Sequence, residues 1–351
     1  MKILIIQQKM IGDVLTSSIL FEALKTEYPN AELHYVINSH TLPVVENNPF
    51  IDDFKLITAE IENSKRLFYT FLKNIRKENY DIVIDVYGKF SSALISKFSK
   101  AKIKIAYFKN YTSFIFTHPL KRLKSSKNNA SLAIENRLML LEPLNISYKE
   151  VSPKIYLEAD EIRSSKHYLE NSKIELNKRL FMISVLGSSA AKTYPSKYMA
   201  LLLDSIIDAD KDAQILFNYI PKQKEKAKII YDYCNEETQK QIFFNVYGKS
   251  LRSFLAITSH CDALIGNEGG ANNMAKALNI PTFTIFSPHL NKQNWFGDVE
   301  TKKHVAIHLS DYIDHKITDI KKAKQNPEAY YLKLEPKFVK PHLKVFLSNL
   351  D

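Results

Sequence analysis

The sequence predicts an α/β protein of two Rossmann-like domains, each built on a parallel sheet, facing a cleft. Three observations carry this expectation. The chain has 351 residues, which at roughly 150 per domain sets two domains. It has only 8 glycines, where about 7% of residues is usual. Four of them follow a short apolar run directly or within a few residues: Ile3–Ile6 before Gly12, Ile82–Tyr87 before Gly88, Phe181–Leu186 before Gly187 and Ala263–Ile265 before Gly266. Third, an amphipathic segment follows each time. Apolar run, glycine and amphipathic segment together mark the strand–turn–helix unit of a parallel sheet, whose ligands bind beyond the carboxyl ends of the strands.

In the first half, Lys2–Ile6 is a strand. Leu15, Ile19, Leu20, Ala23 and Leu24 form a helical stripe that stops before Pro29. Leu33–Ile37 is the next strand, Leu67–Ile75 a helix, and Asp81–Tyr87 a strongly β-prone run. Ala93–Phe98 reads as a helix, Lys102–Tyr107 as a strand and Ser131–Leu141 as a helix. Ser152–Ser172, with Pro153 and a polar helix, suits a linker. In the second half the strands are Phe181–Leu186, Gln214–Phe217, Ile242–Val246, Ala263–Ile265 and Thr282–Phe286. The helices are Met199–Ile207, Leu251–Ser259 and Ala271–Leu278. The expected division is 1–157 for the first domain and 158–335 for the second, with a C-terminal helix over 336–351 that packs back on the first domain.

The chemistry-bearing residues lie at the ends of these strands. Gln7 to Val14 closes the first strand, where Gly12 is read as a tight turn and Asp13 as either a helix cap or a general base facing the cleft. Gly187-Ser188-Ser189-Ala190-Ala191-Lys192-Thr193 brings hydroxyls, backbone N–H groups and an ammonium together. It lacks the Gly-Lys-Ser/Thr of a P-loop but suits a phosphate. Gly266-Asn267-Glu268-Gly269-Gly270 opens the helix Ala271–Leu278, and paired glycines there leave N–H groups bare for an anion. No G-x-G-x-x-G pattern occurs, which argues against an NAD enzyme. Asp208-Ala209-Asp210 sits at the wrong end of its sheet for a metal motif, and the ten histidines show no ligand spacing. Cys234 and Cys261 read as small buried apolar residues. No metal and no cofactor are expected.

The net charge is +11, and it has a source. Between Asp85 and Glu135 stand ten Lys/Arg and no acid, among them Lys89, Lys109, Lys121, Arg122, Lys124 and Lys127, interleaved with Tyr107, Phe108, Tyr111, Phe114 and Phe116. A solvated face, an acidic membrane or acceptor, and nucleic acid are the three readings of such a run. Within it, Lys121–Asn129 is the one compositionally biased stretch of the chain.

Ile11-Gly12-Asp13-Val14-Leu15, Tyr80 through Gly88 with Ser91-Ser92-Ala93-Leu94, and Asn267 through Pro281 continuing to Phe286-Ser287-Pro288 together resemble the glycosyltransferase family 9 heptosyltransferases. The resemblance implies a GT-B fold and metal-independent inverting transfer of a sugar, heptose from ADP-heptose in the best-known members, to a lipopolysaccharide-core glycolipid. It implies Asp13 as base and Lys192 at the donor phosphates. Donor contacts are expected from Gly187, Ser188, Ser189, Glu268, Gly269, Gly270 and Asn273. Acceptor or membrane contacts are expected from Gly12, Lys121, Arg122, Lys124 and Lys127. Where the family has Asp-Thr-Gly and a following His, this chain has Glu268-Gly269-Gly270 and Asn273. The expected partners are a nucleotide-sugar, an anionic glycolipid and the inner-membrane surface, without nucleic acid. The expected location is cytoplasmic and peripheral at the inner face of that membrane. A GT-B epimerase and a non-catalytic nucleotide-sugar or anionic-lipid binding protein remain alternatives at this point.

Overall fold

A computed structural model describes residues 1–127, 130–146, 152–297, 303–314 and 317–350. The last two residues of the biased stretch Lys121–Asn129, and Asp351 of the C-terminal segment, lie outside the described residues. The chain forms two compact units. The first is Met1–Tyr156 with a short stretch from Gln293. The second is Leu157–Lys292 with the remainder of the chain.

The first unit holds the strands β1 Lys2–Ile6, β2 Glu32–Asn38, β3 Asp53–Ile57, β4 Ile82–Asp85, β5 Ile103–Tyr107 and β6 His118–Leu120. They form one sheet in the order β3-β2-β1-β4-β5-β6, with every pair parallel. The apolar runs explain the centre. β1 and β4 carry Ile3, Leu4, Ile5 and Val83, Ile84, all inaccessible to solvent, because a parallel sheet is covered on both faces. One face packs Leu4, Ile6, Val36 and Val83 against Phe71, Leu72 and Ile75 of the helix Lys65–Lys77.

The second unit holds β7 Leu180–Ser184, β8 Gln214–Phe217, β9 Ala263–Asn267, β10 Thr282–Ile285 and β11 His304–Ile307, in the order β11-β10-β9-β7-β8, again parallel throughout. The expected strand Ile242–Val246 does not form. Ile242 makes a single bridge to Ile215, after which Phe244 turns its ring onto Phe217, Tyr219 and Tyr231. The segment Ser152–Ser172 is more than a linker. Its helix Ala159–Asn171 packs on the helix Leu251–Thr258, held by Arg252 and Glu161. The C-terminal helix Pro336–Ser348 places Val339, Leu343, Phe346 and Leu347 in the second unit's core, its Phe346 ring 5.6 Å from that of Phe283. That is a different home from the first domain the sequence suggested.

In each sheet the strand order reverses direction at one point, between β1 and β4 and between β7 and β9. There the chain leaves neighbouring strands in opposite directions and opens a crevice at their carboxyl ends. Gln7–Asp13 and Val86–Lys89 leave the first crevice. Val185–Lys192 and Glu268–Gly270 leave the second.

Candidate active site

Asp13 stands on the helix Ile11–Ser17, whose cap is Met10 with φ 63° and no side-chain cap bond. Asp13 is therefore the third helical residue and not the cap. The left-handed turn falls on Met10, and Gly12 is absent from the positive-φ glycines, which corrects its reading as the turn residue. The Asp13 side chain is 35% exposed, and its Oδ1 accepts from Arg137 Nη2 at 2.8 Å. Arg137 is 6% exposed. Its Nε donates to Ser17 Oγ and its Nη1 to Ala133 O, each at 2.8 Å. The guanidinium is thus fixed by its own unit and holds one carboxylate oxygen.

Around this pair lies a cavity of about 540 Å³ that includes Gln7, Lys9, Tyr87, Lys89, Tyr107 and Arg122. Among the described residues Asp13 is its one lining carboxylate, set among Lys9, Lys89, Arg122 and Arg137. Lys9 also pairs with Glu62. Arg122 lies with its guanidinium 4.0 Å over the Tyr107 ring, and the Tyr107 hydroxyl donates to Asn136 O at 2.8 Å. Asn294 and Trp295 line the same cavity. Of the residues expected at the acceptor, Asp13 and Arg122 meet here. Gly12, Lys121, Lys124 and Lys127 do not line the cavity, and the three lysines are exposed.

Beside Gly88, the Asp85 carboxyl is inaccessible to solvent. Its Oδ1 accepts from Gly88 N at 2.8 Å and its Oδ2 has no hydrogen-bond partner. Burial pushes this carboxyl up to about 7, against the opposing pull of the Gly88 N–H.

In the second unit, Gly187, Ser188 and Ser189 line a cavity of about 580 Å³ together with Thr193, Lys222 and Lys226. The loop folds back on itself so tightly that a Cβ at Gly187 would lie 2.1 Å from Lys192 O. The Thr193 hydroxyl pins it, accepting from Gly187 N and donating to Ser189 O. On β9, Gly266 has φ 127°, and a Cβ there would meet Ser184 O at 2.5 Å. The next residue, Asn267, stitches the two loops, donating to Ser184 O and Val185 O and accepting from Tyr194 N.

Lys192 Nζ stands 3.2 Å from Glu268 Oε1. Glu268 is 7% exposed, and the contact is a charge pair rather than a directed hydrogen bond, since Oε1 has no partner of hydrogen-bond geometry. Neither residue lines the second cavity, nor do Gly269, Gly270 and Asn273. Gly269 caps the helix Gly270–Ala277 without a side-chain bond, which leaves its first-turn N–H groups as the positive end of a dipole. His289 is held below the usual imidazole range by burial, then by the charge of Lys192.

Sequence reasoning missed Arg137, Lys222 and Lys226. Arg137 had a signal: it shares a helix face with Ala133 and Leu141, at spacings of four, where an arginine is out of place unless paired. Asp208 and Asp210 serve local turns, with Lys211 on Asp208 and the Asp212 N–H on Asp210.

The family model for glycosyltransferase family 9 (heptosyltransferase) matches the chain over residues 68–325, well over half of it. The chain belongs to that family. It is therefore a glycosyltransferase, and a mere binding protein is set aside. It is 26% identical to the lipopolysaccharide heptosyltransferase 1 of Campylobacter coli, over 84% of this chain and 86% of that one. Among solved structures it is similar to a family 9 glycosyl transferase of Veillonella parvula, with TM-score 0.82 and 16% identity over 99% and 98% of the two chains. It is also similar to an Escherichia coli heptosyltransferase solved with ADP-2-deoxy-2-fluoro heptose, with TM-score 0.67 and 16% identity over 97% and 98%. The fold is GT-B.

Proposed function

We propose that this glycosyltransferase moves a heptose from ADP-heptose to a phosphorylated lipopolysaccharide-core glycolipid at the inner face of the inner membrane, inverting the anomeric carbon. The observation that carries the reading is the first cavity, in which the Asp13 carboxylate is set among several cations. Such a lining selects an acceptor rich in phosphate or carboxylate and offers one base to its hydroxyl. The relatives' names supply the sugar and the nucleotide.

Asp13 accepts the proton of the acceptor hydroxyl as that oxygen attacks the anomeric carbon. The bond from that carbon to the diphosphate breaks, and its electron pair leaves on the diphosphate. Ser188, Ser189, Lys192 and the open end of the helix Gly270–Ala277 supply donors and positive charge to the departing group. No step is routed through a metal. Glu268 holds the Lys192 ammonium in place.

The test follows ADP release from ADP-heptose with a lipid-free core oligosaccharide as acceptor. Acceptor binding is followed by fluorescence of Trp295, the single tryptophan of the chain, which lines the first cavity. Turnover is expected to persist in EDTA. Asp13→Asn is expected to bind both substrates and to lose about 10²–10⁴ in kcat. An Asp13→Asn enzyme as fast as wild type removes Asp13 from the chemistry.

A further inference from the structure

Four aromatic side chains of the first unit face solvent within one short stretch of chain. Phe90 is 65% exposed, Phe108 43%, Tyr111 55% and Phe114 79%. They belong to ordered backbone. Phe90 opens the helix Phe90–Phe98 after β4, and the other three lie in the connection from β5 to β6. That connection is fixed by Thr112 N and Ser113 N donating to Lys109 O, and by Phe108 N donating to Leu120 O. Its Ile115 and Phe116 pack against Ala93 and Ala106, and Lys109 reaches the turn at Gly88. The exposed rings therefore share one rim.

The rim belongs to the first cavity. Lys89 lines the cavity and the next residue, Phe90, stands outside it. Tyr107 lines the cavity and the next residue, Phe108, stands outside it. Leaving four rings in water on a hydrogen-bonded rim is a cost that a bound surface would remove. The charge of the stretch selects the surface, since no acid occurs between Asp85 and Glu135 against ten Lys/Arg.

We propose that Phe90, Phe108, Tyr111 and Phe114 form a docking rim that enters the headgroup layer of an anionic bilayer, with neighbouring lysines on the lipid phosphates. Aromatic rings settle at that depth, and cations hold an acidic leaflet. The inference rests on the acceptor-cavity reading for its purpose: the rim sets the mouth of the cavity against the layer from which a glycolipid headgroup projects. This assignment replaces the grouping of Arg122 with the membrane contacts, because Arg122 lies over Tyr107 inside the cavity.

The experiment is vesicle flotation of the full chain with phosphatidylglycerol–phosphatidylethanolamine vesicles and with phosphatidylcholine vesicles, at low and high salt. It is run on wild type and on Phe90→Ser with Phe114→Ser. Wild type is expected to float with the anionic vesicles only and to be released by salt. The double variant should partition roughly tenfold less per ring removed. Its melting temperature and its turnover of the lipid-free acceptor should be unchanged. Wild type that stays off anionic vesicles, or a double variant that floats as well as wild type, overturns the proposal. A wild-type dimer that the double variant dissolves in sedimentation also overturns it, by assigning the rim to a second copy. Flotation as expected with no turnover of the lipid-free acceptor leaves the rim standing and removes the proposed donor and acceptor instead.

Discussion

Replacing Arg137 separates a residue that holds the base from one that only fills space. Arg137→Met keeps the apolar stem and removes the guanidinium. Three partners lose a donor: Asp13 Oδ1, Ser17 Oγ and Ala133 O. Asp13 is 35% exposed, so water replaces its lost partner and that share of the stability loss is small. The other two are neutral acceptors, each worth about 1 kcal/mol. The expected loss is about 2–3 kcal/mol, below the ~3–5 kcal/mol of a fully buried ion pair broken on one side. A domain of ordinary stability survives that. Catalysis should suffer more visibly. A carboxylate released from its fixed orientation loses alignment with the acceptor hydroxyl, and a displacement of about 1 Å can cost on the order of 10²-fold. The assay pairs urea unfolding with steady-state turnover. Arg137→Met should lower kcat by roughly 10–10²-fold with the KM for donor unchanged, and Arg137→Lys, which keeps the charge and reaches fewer partners, should recover part of it. If Arg137→Met is destabilised while its kcat matches wild type, and Asp13→Asn is inactive, the guanidinium supports the fold alone.

Two further expectations use the buried carboxyls. Lys192→Ala strands the Glu268 carboxylate at 7% exposure and should cost about 1–3 kcal/mol. Glu268→Gln should cost less, and the double variant less than Lys192→Ala alone, so a simply additive urea cycle rules the pair out as a coupled unit. For Asp85, raised from 3.8 to about 7, the folded chain holds a proton that the unfolded chain has given up across that window. Stability therefore falls as pH rises from about 4 to about 7. Asp85→Asn should be near neutral at the acid end and a few kcal/mol more stable than wild type above pH ~8. Identical pH–stability curves for the two proteins would sink the assignment.

The central strands were legible because burial on both faces writes a continuous apolar run, as in Ile3–Ile6 and Phe181–Ile183. The edge strands were not. β3 reads Asp-Phe-Lys-Leu-Ile and β6 reads His-Pro-Leu. An edge is half solvated and tolerates a charge or Pro119, so its sequence resembles a loop. Ile242–Val246 failed for the converse reason: its apolar residues serve an aromatic cluster instead of a ladder. At the site, the loops after β1, β7 and β9 could be placed because a glycine follows each strand. The partners could not. Arg137 meets Asp13 across 124 positions of sequence and Lys192 meets Glu268 across 76, and no local pattern encodes contacts at such separations. Both depend on which strands the sheet brings side by side.

The tight backbone at Gly187 and Gly266 has a consequence for how this enzyme can diversify. Neither position admits even a methyl group, because the obstacle in each case is a main-chain carbonyl that no change of neighbouring side chain would remove. Substitutions there should be purged as strictly as those in the core, although Gly187 lies on a loop, where tolerance is ordinarily highest. The permissive positions are Lys222 and Lys226, both exposed around the cavity that Gly187 lines. A lineage that came to accept a different nucleotide-sugar would be expected to change these two while keeping the two glycines, so divergence in donor choice would leave the loop path intact and be recorded only in the side chains beside it.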